Sequence, residues 1–101
     1  MTLKDKLFEA ACKAAGCSTA QAKGLCRKQK LMYARMAFFF LGTQQGLSPH
    51  EMILYLQRSD TMAYYYRNAV DFMLDYDKKF KTITNKAQRN YEKSIQQPVS
   101  A

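Results

Sequence analysis

The side chains with most to offer a chemical partner are gathered in one stretch, "RSDTMAYYYRN", residues 58–68. Arg58, Ser59, Asp60 and Thr61 stand together, and Tyr64, Tyr65 and Asn68 follow at steps that bring them to the outer side of a helix starting at about Asp60. Such a set can hydrogen-bond base edges and phosphate oxygens, and a tyrosine ring can pack on a sugar or a thymine methyl. Each residue also has a plainer reading: Ser59 or Asp60 as the helix cap, Thr61 as a first-turn residue in solvent, the tyrosines as cover over a core. Asp60 has the wrong sign for a phosphate and suits a cytosine amino group instead.

Catalysis finds little to work with. The single histidine, His50, falls in the opening turn of a capped helix with no Cys or Ser placed as a partner, so it reads as a solvent-facing residue. Asp71 and Asp75 form one i, i+4 pair with Asp77 two residues on, which is too few ligands for a metal and ordinary for a solvated helix face. Cys12, Cys17 and Cys26 are odd in number and lack C-x-x-C spacing, which argues for reduced, partly buried thiols in a cytoplasmic protein. The expectation is a non-enzyme with no metal and no cofactor.

Helical patterning must position the stretch. Leu3, Leu7, Phe8, Ala11 and Ala15 recur at helical spacing up to Gly16, and "CSTAQAKG" offers Ser18 or Thr19 as a cap, with Gln21 able to complete a capping box over one or two turns. From Leu25 to about Gln44 a long central helix is predicted, with Leu31, Ala34, Phe38 and Leu41 as its buried line and Lys28, Lys30 and Arg35 on other faces. Ser48-Pro49-His50-Glu51 is the clearest local signal: a Ser cap, Pro at the first helical position and Glu reaching back. That helix carries Met52, Ile53 and Leu56 inward and ends near Gln57. After a break of three or four residues the next runs from about Asp60 to Lys79 on Ala63, Tyr66, Val70, Met73 and Leu74. A last helix from about Thr82 to Ile95 rests on Ile83, Ala87, Tyr91 and Ile95. The spacing predicts one all-α domain of five or six helices over residues 1–96 and a frayed tail over 97–101.

The chain has 101 residues and a formal charge of +8, unevenly placed. Met1 to Gly46 holds eight Lys or Arg against two acids, and Leu47 to Ala101 holds eight against six. An excess of this kind favours an anionic partner. A membrane is disfavoured, since "MAFFFL" is far shorter than the roughly 20 residues needed to cross a bilayer and no signal-peptide pattern opens the chain. Lys23, Arg27, Lys28 and Lys30, with Asn68, are the candidates for phosphate contact. Two helices joined by so short a break fit a helix-turn-helix, which lays its second helix in the DNA major groove. An ordinary αα-corner has the same pattern.

Taken together, "STAQAKGLCRKQKLMYARMAFFFL", "LSPHEMILYLQRSDT" and "AYYYRNAV" resemble the C-terminal DNA-binding domain (domain IV) of the bacterial chromosomal replication initiator DnaA. The likeness covers roughly Leu3 to Lys93. It implies a six-helix, Trp-repressor-like fold, double-stranded DNA as partner, and a role in replication initiation or its regulation. It also implies that Arg35 matches the family arginine that reaches the minor groove, with one extra residue in the loop before Ser48. The family motif Arg-Asp-His-(Ser/Thr)-Thr-Val falls on Arg58, Ser59, Asp60, Thr61, Met62 and Ala63, and only Arg58 and Thr61 are kept. Ser59 and Asp60 replace the family's base-reading Asp and His, so recognition of the family's standard site is expected to weaken by about 1 to 3 kcal/mol per lost contact. No G-x-x-x-x-G-K-(S/T) occurs, so this sequence holds no ATPase module of that kind.

The competing expectation is a protein-interaction domain that keeps the fold without sequence-specific reading. Tyr64, Tyr65, Phe72 and Tyr76 put more aromatic surface on the fifth helix than a small monomer usually exposes, which suits a protein partner or a homodimer.

Overall fold

A computed structural model describes residues 2–24, 28–58 and 61–96, and within them six helices follow one another: α1 (Leu3–Ala15), α2 (Thr19–Lys23), α3 (Gln29–Gln44), α4 (Pro49–Tyr55), α5 (Thr61–Tyr76) and α6 (Lys78–Gln96). Local chemistry sets most of the boundaries. Thr2 with Asp5, Ser18 with Gln21 and Ser48 with Glu51 each close a reciprocal capping box, and Pro49 stands at the first helical position of α4. At the other end of α1, Gly16 turns left-handed (φ 81°), so that its N–H reaches Lys13 O and that of Cys17 reaches Cys12 O.

The all-α expectation of five or six helices is met. α3 is the core: it is apolar on nearly every side, and Leu31, Tyr33, Ala34, Met36, Ala37, Phe38, Phe39 and Leu41 are all buried. α1 packs against it and against α6, whose Phe80, Ile83, Ala87 and Tyr91 face inward; Asn90 Nδ2 donates to Ala10 O to fasten the two. Phe8, Phe38 and Tyr55 stack a three-ring cluster with centroids 5.2 to 5.6 Å apart. At Gly42 of α3 a Cβ would lie 2.1 Å from Met52 Sδ of α4.

Three boundaries differ from expectation. α3 begins at Gln29 with Lys28 at its N-cap position, not at Leu25. α5 ends at Tyr76 and α6 begins at Lys78, not near Lys79 and Thr82, because Asp77 accepts from the Phe80 N–H (3.1 Å) and so caps a new helix. The Tyr33 hydroxyl donates to the same carboxylate at 2.6 Å, tying the α5–α6 joint to the central helix. That bond holds the Asp77 carboxyl below its ordinary range, while burial and the carboxylate push the Tyr33 phenol up to about 12. Ile95, expected in the last stripe, is exposed.

Candidate nucleic-acid interface

The chain leaves α4 through Gln57, the one non-glycine residue among those described with positive φ (58°). Its N–H bonds Leu54 O and that of Arg58 bonds Ile53 O, so a glutamine fills the left-handed position that glycine usually takes. An L residue there costs about 1 kcal/mol. Arg58 follows at once and folds back onto the end of α2.

The last carbonyls of a helix lack intrahelical donors, and cations are favoured there. Two arginines supply the donors for α2. Arg35 Nε donates to Ala22 O at 2.7 Å and its Nη2 to Gly24 O at 2.8 Å, while Arg58 donates to Gly24 O (2.5 Å), Lys23 O (3.4 Å) and its neighbour Leu56 O (3.2 Å). This corrects the expectation for Arg35. It is 4% exposed and lies within the core-facing surface of α3, so it holds α2 in place and does not project toward a minor groove. Arg58 is half-buried and its guanidinium already donates to three carbonyls.

Lys23 is also half-buried, its ammonium 4.2 Å from the Tyr55 ring centroid. The Tyr55 hydroxyl donates to Asp5 Oδ1 at 2.5 Å, which lowers the Asp5 pKa; burial and that carboxylate raise that of Tyr55. Arg35, Arg58 and Lys23, all expected at DNA, are thus engaged within the protein at the end of α2.

The remaining described candidates face outward. Thr61 is exposed at the first position of α5, Tyr64 and Tyr65 are 73% and 52% exposed, and Asn68 is exposed one turn further on. Lys28 and Lys30 are exposed at the start of α3, four and six residues after the Gly24 carbonyl that both arginines hold. Arg27, Ser59 and Asp60 lie outside the described residues. Sequence reasoning passed over Arg67, exposed on α5 three residues from Tyr64; that i, i+3 spacing was the available signal.

α5 presents two strips to solvent. Thr61, Tyr64, Asn68, Asp71 and Asp75 form one, polar at its beginning and acidic at its end. Tyr65, Phe72 and Tyr76 form the other, about 90° further round the helix, with the half-buried Ala69 between them packed against the core. His50 is exposed, and no group of three or more His, Cys, Asp or Glu that could hold a metal occurs among the described residues. No described helix is long and apolar enough to cross a membrane. Comparison of the chain with protein-family models, with curated proteins and with solved structures finds no match.

Proposed function

We propose that this chain is a cytoplasmic double-stranded DNA-binding protein that uses α4 and α5 as a helix-turn-helix, as in the replication-initiator domain it resembles, and acts in replication or its regulation. The observation that carries the reading is the outward face of the first two turns of α5. Thr61, Tyr64 and Asn68 stand there, at the helix end that a helix-turn-helix inserts into the major groove. The net charge of +8 supplies attraction to phosphates, with Arg67 on α5 itself and Lys28 and Lys30 at the start of α3 as exposed candidate cations.

Besides Ser59 and Asp60, the reading differs from the family scheme at the arginines: Arg35 and Arg58 act from inside, by fixing the end of α2, and base contact falls to the α5 side chains. Selection of bound sequences from a random duplex pool tests it. A consensus spanning one major-groove segment is expected, and Asn68→Ala together with Tyr64→Ala should blur it; a pool that stays random through successive rounds refutes sequence-specific reading. The exposed Phe72 and Tyr76 favour, as a second reading, a protein contact on the same helix.

A further inference from the structure

We propose that the seam between α1 and α6 is a second DNA contact, one that grips the phosphate backbone of a duplex irrespective of its sequence. It rests on the reading of the chain as a DNA-binding protein for its partner, and not on base contact by α5.

The seam is fastened where Asn90 Nδ2 donates to Ala10 O at 3.3 Å. Positions four before and three after a residue share its face of a helix. On α1 those positions about Ala10 are Lys6 and Lys13, and on α6 those about Asn90 are Lys86 and Lys93. A lysine therefore flanks the joint in both directions on both helices; Lys13, Lys86 and Lys93 are exposed and Lys6 is half-buried. The two helices together hold nine Lys or Arg against Asp5, Glu9 and Glu92, which is most of the chain's net +8. Asp5 is taken up by the Tyr55 hydroxyl and Glu92 accepts from Gln88 Nε2, while Glu9 lies a helical turn from Lys6 and Lys13 and offsets one charge.

This charge works against the isolated fold. Apart from the Asp77 cap, α6 opens on Lys78, Lys79 and Lys81 with no acid in its first turn, where the helix dipole disfavours cations. Lys86 with Arg89 and Arg89 with Lys93 are like charges at i, i+3 and i, i+4 spacing. A polyanion laid along the helix relieves both.

The chemistry of the face selects which polyanion. The outward positions of α6 between its lysines are Thr82, Asn85 and Arg89, hydrogen-bond donors with no apolar side chain among them to enter a lipid surface. Lysine is depleted at protein interfaces but is a regular partner of phosphate oxygens. From Lys79 to Lys93 α6 spans roughly 21 Å, over which one strand of a duplex presents about six phosphates.

Fluorescence anisotropy of a labelled random-sequence duplex across a salt series tests the proposal on the full chain. Lys6→Gln, Lys13→Gln, Lys86→Gln and Lys93→Gln together should lower the slope of log affinity against log salt by about 3 to 4, and weaken binding at least about tenfold near physiological salt. Helix content and thermal midpoint should hold or rise, and Arg at the same four positions should keep the binding. Lys86→Gln with Lys93→Gln alone, both exposed, should take about half of the slope change and serves if the fourfold variant does not fold. A slope unmoved by these substitutions overturns the proposal while leaving the DNA reading of α5 in place. A seam-dependent slope beside a silent Tyr64→Ala, Asn68→Ala variant supports the seam and refutes base contact by α5. Tighter binding to phosphatidylserine vesicles or to polyglutamate than to the duplex at equal salt overturns the choice of partner.

Discussion

α3 and α5 are both sixteen residues long, yet ten residues of α3 are buried and only Ala63, Tyr66 and Val70 of α5. The difference separates two uses of similar side chains. In α3 the aromatics and even an arginine are committed to packing: Phe38 joins the ring cluster, Phe39 stacks on Tyr66 of α5, and Arg35 holds the end of α2. In α5 the rings at Tyr64, Tyr65, Phe72 and Tyr76 stay exposed and contribute little to any core.

The comparison is broken most directly at Arg35. Arg35→Ala removes a buried, charged donor from the end of α2, taking the side-chain bond from the buried Ala22 carbonyl and leaving Gly24 O to Arg58 alone, so urea denaturation should show a loss of roughly 3 kcal/mol. Full stability with lost DNA binding would return Arg35 to the surface role the family scheme gives it. Gly42→Ala is the next largest, because its Cβ would press on the fully buried Met52 between α3 and α4; about 1 to 3 kcal/mol should be lost. At the junction that aims α5, Gln57→Gly should gain up to about 1 kcal/mol by relieving a left-handed L residue, visible as a higher thermal midpoint.

The smallest effect is in acid. Asp5, Glu51 and Asp77 all have carboxyl pKa values lowered in the folded chain, by the Tyr55 hydroxyl, the Ser48 amide and the Tyr33 hydroxyl first in each case. The unfolded chain therefore binds more protons, so their stabilisation is complete above the ordinary carboxylate range and is lost as pH falls through the lower folded values. Tyr33→Phe should flatten that acid slope in a pH series of thermal melts. On the alkaline side Tyr33, raised from 10.0 to about 12, contributes stability below pH 10 that is lost as pH climbs through its folded value.

The caps were the most legible part of the sequence. Ser18 with Gln21 and Ser48-Pro49 with Glu51 are short-range signals that no distant contact overrides, and the two helices they open begin where expected. Asp77 was less legible, because an acid on a helix face and an acid capping the next helix look alike until Tyr33, forty-four residues away, is seen to fasten it. Arg35 was misjudged for a related reason. Its neighbours at i−4 and i+4, Leu31 and Phe39, are both buried, but in a helix so uniformly apolar the stripe pattern alone does not reveal that a charged residue lies on the inner side. Of the candidate site, the exposed α5 positions could be read from periodicity; the carbonyl partners of the two arginines could not, since they depend on where α2 comes to rest.

The account is tested most directly by fluorescence anisotropy of a labelled random-sequence duplex titrated with the chain across a salt series, beside a Tyr64→Ala, Asn68→Ala variant. Binding at low salt whose logarithm falls linearly with that of salt, at about 0.9 per phosphate contact, and which the variant weakens without loss of thermal stability, is the predicted result. Absence of duplex binding at low salt, or affinity that ignores both salt and the α5 substitutions, would contradict the claim that the exposed start of α5 is a DNA-binding surface.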